Sequence, residues 1–218
     1  MQIAILIFDE LTALDAIGPC EVLSRLPGAE LIFVAKQAGP KRTDTDALSL
    51  TADRSLAEVE DPDIVLVPGG PGNRTLFEDE DVLGWLRGAD ETTTWTTSVC
   101  TGSLVLARAG ILEGKRATSH WAYRDELATL GAIPVAERVV EDGRIVTAAG
   151  VSAGLDMALT LAARVAGEDV AKAIQLGIEY DPAPPFDAGA PEKAPPQIVE
   201  LVRAFEAQGT SVAPEQLG

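Results

Sequence analysis

Ile3–Phe8 is an unbroken apolar run, the pattern of a strand covered on both faces. A helical stretch follows from Thr12 to about Leu26. Leu31–Ala35 then repeats the buried-strand pattern, and Ile64–Val67 repeats it again before stopping at Pro68-Gly69-Gly70-Pro71-Gly72. Gly39–Asp46 is polar and is predicted as an exposed loop. Ala47–Ala52 is predicted as a short strand and Asp81–Arg87 as a helix. Thr93–Val99, rich in β-branched residues, is predicted as a further core strand. Cys100 comes next, and Gly102–Ala109 has the composition of a compact helix of small and aliphatic residues. Trp121–Leu130 is predicted as a helix closed by Gly131. Arg138–Val140 and Arg144–Thr147 flank the turn signal Glu141-Asp142-Gly143 and predict a hairpin. Ser152–Val165, Asp169–Leu176 and Pro196–Ala207 are the remaining predicted helices. A Pro-rich stretch from Tyr180 cannot be helical, and the last ten residues read as loose. Alternating strands and helices predict an α/β fold, a mostly parallel twisted sheet with helices on both faces. The expected organisation is one domain over 1–218, with a core to about residue 176 and a Pro-rich segment plus C-terminal helix over 177–218.

Composition narrows the function. Seventeen basic against 34 acidic residues give a net charge of −17, with no basic cluster larger than Lys41-Arg42. Nucleic acid and anionic membranes are disfavoured as partners. Aromatic residues make up 5% of the chain, which also disfavours a stacking platform for single strands. No stretch is long and apolar enough for a membrane span, and the N-terminus reads as a strand rather than a signal peptide. Two cysteines, Cys20 and Cys100, rule out a disulfide scaffold and point to a reduced, cytoplasmic setting. One histidine and no Cys/His cluster leave no zinc pattern, so the expectation is no metal.

Chemistry in open α/β sheets gathers beyond the carboxyl ends of strands. Cys100 lies at such an end, in Ser98-Val99-Cys100-Thr101-Gly102. This is the form of a strand–nucleophile–helix elbow, with Ser98 in place of the first glycine. The following helix N-terminus is expected to lower the thiol pKa. A buried core cysteine is the structural alternative. Cys20, inside a helical run, reads as packing. Gly69 and Gly70 lie in a loop whose amides can face a developing anion, with the Thr101 amide as a further donor; a plain tight turn is the alternative. Asp15, in Thr12-Ala13-Leu14-Asp15, fits a capping box. It also fits a carboxyl near a thiolate, with a raised pKa suited to general-acid work. Pro19 lacks the N–H that would bond the Asp15 carbonyl. His120 is open to two readings, a base for a Cys–His pair or a hydrogen-bonded structural histidine.

These motifs together resemble the ThiJ/PfpI superfamily, with its class I glutamine-amidotransferase-like, flavodoxin-like fold. The matching stretches are Leu14–Leu23, Val67–Gly72, Ser98–Ser103, Ala117–Trp121 and Gly150–Asp156, within about residues 1–175. The tail Ile178–Gly189 and the pair Cys100-Thr101 resemble the branch of that superfamily that hydrates isonitriles. The resemblance implies a cofactor-independent, homodimeric enzyme with Cys100 as nucleophile and Asp15 as its acid partner. A small isonitrile and water would be its substrates, and Thr101 and Gly70 would orient the isonitrile. The peptidase-like branch carries His directly after the cysteine; Thr101 stands there instead, which weakens a Cys–His reading. Two alternatives stay open. One is a glyoxalase- or deglycase-like activity on reactive carbonyls through the same cysteine. The other is a ligand sensor, since related motifs occur in regulators that add a DNA-binding module, which the −17 charge disfavours.

Overall fold

A computed structural model describes residues 1–208; the predicted loose terminus lies outside them. The chain divides into two compact units, Met1–Glu179 and a second beginning at Tyr180. The first holds eleven strands, in chain order β1 (Gln2–Leu6), β2 (Glu30–Ala35), β3 (Gly39–Arg42), β4 (Ser49–Ala52), β5 (Arg54–Ser55), β6 (Ile64–Val67), β7 (Trp95–Val99), β8 (Arg116–Ala117), β9 (Ile133–Pro134), β10 (Val139–Asp142) and β11 (Ile145–Ala148). Its helices are α1 (Ala13–Leu23), α2 (Asn73–Leu76), α3 (Glu80–Thr92), α4 (Gly102–Arg108), α5 (Glu126–Thr129), α6 (Ala153–Ala166) and α7 (Glu168–Gly177). The second unit carries α8 (Pro196–Gln208).

Seven strands form one sheet in the order β10-β11-β7-β6-β1-β2-β5. Every pairing is parallel except β10 with β11, the predicted hairpin. Ile3–Leu6 and all four residues of β6 are buried on both faces, so the sheet centre needs a layer on each side. α1, α6 and α7 pack together as one group, and α2, α3, α4 and α5 form another around α4. The fold class is the predicted one. The chain runs from β1 outward to β2 and β5, then returns to β6 on the other flank of β1. Successive connections therefore part above β1 and β6, and the crevice they leave is where ligands bind in such sheets.

Two predicted elements differ. Gly39–Asp46 is not wholly loop: Gly39–Arg42 pairs antiparallel with Ser49–Ala52. Lys41 and Arg42 give no apolar alternation because this ribbon lies outside the main sheet. Backbone bonds hold it instead, Glu10 N–H donating to the Arg42 carbonyl at 2.7 Å and Asp44 N–H to that of Leu11 at 3.0 Å. Trp121–Leu130 is helical only over Glu126–Thr129. Before it, Tyr123 N–H bonds the His120 carbonyl, Glu126 that of Tyr123 and Leu127 that of Arg124. These i→i+3 bonds make a string of tight turns that keeps the aromatic side chains where tertiary contacts want them.

Candidate active site

Cys100 follows directly on β7 with φ 57°, a left-handed conformation that an ordinary side chain adopts only at a cost of about 1–2 kcal/mol. The surroundings hold it there. Its N–H is shared between the carbonyls of Ala148 and Ala149, each at 3.1 Å. Its own carbonyl accepts from the hydroxyls of Ser103 (3.2 Å) and Ser119 (3.0 Å). The next turn needs Gly102, because a Cβ there would collide with the carbonyls of Val67 and Pro68. The strained backbone at Cys100 is therefore held by β11, α4 and Ser119 together, where β7 ends.

Asp15 lies one turn into α1 and is fully buried. It does not cap the helix: the Thr12 side chain makes no cap bond and instead donates to Asp44 at 2.7 Å. Pro19 stands inside the helix and leaves the Asp15 carbonyl without its usual donor. The carboxyl turns toward the crevice. Its Oδ2 accepts the Gly69 N–H at 2.9 Å, and the Cys100 side chain is its other polar partner. Its Oδ1 is buried without a protein nitrogen or oxygen donor. Burial pushes the pKa from 3.8 to about 7. The Gly69 amide and the Cys100 thiol hold it down, and the nearby Asp44 carboxylate raises it further.

The amides of the glycine loop meet side chains of the cluster. The Gly69 N–H is given to Asp15, and the Gly70 N–H goes to the Thr101 hydroxyl at 3.1 Å. These amides, the expected donors to a developing anion, here bond Asp15 and Thr101, the two residues beside Cys100. Gly69 must be glycine: a Cβ would sit 2.6 Å from both the Thr101 nitrogen and hydroxyl and 2.9 Å from Asp15 Oδ2. Gly70 has φ +132°, and a Cβ would lie 2.5 Å from the Glu10 carbonyl. Thr101, itself buried, is held a second time by Asn73, whose Nδ2 donates to its carbonyl at 3.1 Å.

The structure thus brings Asp15, Cys100, Thr101, Gly69 and Gly70 into one cluster. His120 enters beside it, through Ser119, with its ring tilted against Trp121 (5.6 Å) and Tyr123 (6.0 Å). The ring also abuts Gly150, where a Cβ would meet His120 Cδ2 at 2.5 Å. Cys20 lies away from the site on α1, and burial and Glu21 raise its thiol pKa. Two polar residues of the cluster were not singled out in the sequence, Ser119 and Asn73, and Ser103 was read only as a small neighbour for the turn at Cys100. Asn73 follows directly on the glycine run, and reading the loop through to its first helical residue is the signal that finds it.

A buried cysteine on a strand–helix elbow beside a buried carboxyl, at the switch point of a parallel sheet, defines a class. The chain belongs to the DJ-1/PfpI family, whose pattern covers residues 1–164. Isonitrile hydratase of Pseudomonas putida is 47% identical over 203 residues, 93% of this chain and 89% of that protein. The crystal structure of a ThiJ/PfpI family protein from Pseudomonas syringae superposes with a TM-score of 0.92 at 37% identity, covering 95% of this chain and 86% of that one. Drosophila melanogaster DJ-1beta shares the fold, with a TM-score of 0.74 at 23% identity over 82% of this chain and 97% of that one. Among the described residues no helix is long and apolar enough to cross a membrane.

Proposed function

We propose that this protein hydrates isonitriles to N-substituted formamides, with Cys100 as nucleophile and Asp15 as acid and base. The observation that carries the reading is a fully buried carboxyl, its pKa raised to about 7, in polar contact with the Cys100 side chain. The extent of its likeness to the Pseudomonas putida hydratase supports the substrate class.

The terminal carbon of R–N≡C is electrophilic. The Cys100 sulfur bonds to it, and the carbon, left with a lone pair, takes the proton held by Asp15 to give R–N=CH–S–Cys. A carboxylate and a thiolate cannot both be charged cheaply at this range, so the pair starts with one proton between them. That proton is the one the carbon needs. Water then adds to the C=N carbon; one of its protons restores Asp15 and the other ends on nitrogen. Collapse of the adduct breaks the C–S bond and releases R–NH–CHO with the thiolate regenerated. The Gly69 amide aims the carboxyl, the Gly70 amide aims the Thr101 hydroxyl, and the hydroxyl orients the substrate. The cycle is balanced without a cofactor or metal. The same reading carries a homodimer in a cytoplasmic setting.

Incubation with cyclohexyl or p-nitrophenyl isocyanide, with methylglyoxal in parallel, tests the proposal. Formamide should accumulate with each isocyanide. Turnover of methylglyoxal alone would move the chain to chemistry on reactive carbonyls.

A further inference from the structure

The ribbon of β3 and β4 lies outside the main sheet, and its connecting loop is fastened to the start of α1. Glu10 N–H donates to the Arg42 carbonyl at 2.7 Å, Asp44 N–H donates to the Leu11 carbonyl at 3.0 Å, and Leu11 and Thr43 form a parallel bridge. The side chains add a further tie, since the Thr12 hydroxyl donates to Asp44 Oδ2 at 2.7 Å. The other carboxylate oxygen, Oδ1, accepts the Thr45 N–H at 2.8 Å. Both oxygens of Asp44 are therefore held, and one is held by the residue that opens α1. A threonine in that place ordinarily accepts from the first N–H groups of its own helix. Here its hydroxyl is given to a carboxylate from outside the helix.

Thr12 is also the hub of the bonds that place Asp15. Its N–H donates to the Gly69 carbonyl at 2.9 Å, and its carbonyl accepts the Asp15 N–H at 3.1 Å. The Gly69 N–H completes the ring by donating to Asp15 Oδ2 at 2.9 Å. One residue therefore links the Asp44 carboxylate to the turn that carries the Asp15 carboxyl. The other elements around Asp15 are quickly named. The β7–α4 elbow brings the Cys100 side chain, the glycine loop brings an amide, and α6 packs Leu155 on Gly18 and Gly154 on Pro19. Asp9 and Glu10, which lead out of β1, are exposed, and Asp9 accepts the Arg42 N–H at 2.9 Å. The Arg42 guanidinium pairs with Asp46 at 2.7 Å. Burial is the main cause of the raised Asp15 pKa, and the Asp44 charge adds to it.

A thiol and a carboxyl that share one proton have two arrangements. In the first the proton is on sulfur and the carboxyl is charged. In the second the carboxyl is loaded and the sulfur is a thiolate. A negative charge fixed on the carboxyl side opposes the first and favours the second. Only in the second are nucleophile and acid both ready. We propose that Asp44 is a positioning residue for the Cys100–Asp15 pair: its carboxylate, anchored to Thr12 at the start of α1, drives the shared proton onto Asp15 and leaves the Cys100 sulfur charged. The inference rests on the reading of Cys100 and Asp15 as a proton-sharing pair and is independent of which substrate the site turns over.

The test follows the rate at which iodoacetamide alkylates Cys100 of the full chain as a function of pH, in a Cys20→Ala background and well below each thermal midpoint. Asp44→Asn keeps an acceptor for the Thr12 hydroxyl and removes the charge. Its rate should fall by at least about 3-fold where the pair holds one proton, and should return to the wild-type rate in alkaline solution, where both groups are ionised in either protein. Asp44→Glu, which keeps the charge, should keep the wild-type profile. In an Asp15→Asn background Asp44→Asn should change nothing, because no carboxyl is left to load. Thr12→Val cuts the tether and lets the carboxylate swing away. It should lose rate over the same pH range, and it carries the measurement should Asp44→Asn fail to fold. A profile unchanged in the folded variants, or one lowered by the same factor at every pH, would make Asp44 a purely structural tie and overturn the proposal; so would Asp44→Glu behaving like Asp44→Asn. A wild-type profile in Asp15→Asn alone would instead remove the pairing of Asp15 with Cys100 on which the proposal rests. Absence of isocyanide turnover in the wild type would count against hydration and leave the alkylation result standing.

Discussion

A carboxyl group with a pKa raised to about 7 keeps its proton in a large share of molecules near neutral pH and can give it to the substrate carbon when the Cys100 sulfur attacks. Hydration should therefore slow as pH rises through about 7, where Asp15 empties. In Asp15→Asn that limb should vanish from the pH profile of kcat/KM. The two cysteines should separate as clearly. The Cys20 thiol has its pKa raised by burial and by Glu21, which keeps it protonated and slow toward alkylation. Iodoacetamide should label Cys100 first, as read by peptide mass, and Cys20→Ala should retain activity that Cys100→Ala loses. First labelling at Cys20 would reject the assignment. At this scale much was legible: Cys100 between a β-branched strand and a small-residue helix marks its own position. Asp15 was ambiguous, because Thr-x-x-Asp fits a cap equally well. Only the placement of Gly69, far along the chain, shows which way the carboxyl turns.

The glycine loop shows how an element can place side chains through its backbone alone. Backbone amides at Gly69 and Gly70 aim Asp15 and Thr101, and both positions exclude a side chain. The two substitutions should fail differently. In Gly70→Ala the new methyl meets main-chain atoms of Glu10, Leu11 and Thr12 at a positive φ, so stability should fall by about 1–3 kcal/mol or more. In Gly69→Ala it meets the Asp15 carboxyl and Thr101, so kcat should fall by more than the thermal midpoint suggests. Thermal unfolding and kinetics on the same samples separate the cases; equal behaviour of the two would argue against a division of labour in the loop. Parallel strands were readable because each is buried on both faces and so continuously apolar. The β3–β4 ribbon and the turns after His120 were not, because their order comes from backbone bonds, to Glu10 and Leu11 in the one and of the i→i+3 kind in the other, which leave no periodicity.

For the whole molecule, a neutral buried carboxyl sets a slope of stability against pH. Between 3.8 and about 7 the unfolded chain releases the Asp15 proton while the folded chain keeps it. The group's contribution is thus present in full below about pH 4 and is lost as pH rises toward 7, by about 4 kcal/mol in all. Denaturant unfolding of wild type and Asp15→Asn should show the gap between them widening in favour of Asn from pH 5 to pH 8. A constant gap would mean the carboxyl is ionised throughout. The proposed homodimer belongs to this scale as well. Leu14 on α1 and Leu176 on α7 are 39% and 81% exposed, apolar side chains available to a second copy. Sedimentation should give a dimer at about micromolar concentration, and a monomer there would remove that part of the proposal.

Asp15 and His120 compete for the same task, and one comparison decides between them. Formamide formation from cyclohexyl isocyanide should be measured for wild type, Asp15→Asn and His120→Asn, each shown to be folded. Asp15→Asn should lose at least the ~10²-fold that a missing general acid costs, and His120→Asn much less. The reverse order, with both variants folded, would place the proton on His120 and contradict the pairing of Asp15 with Cys100.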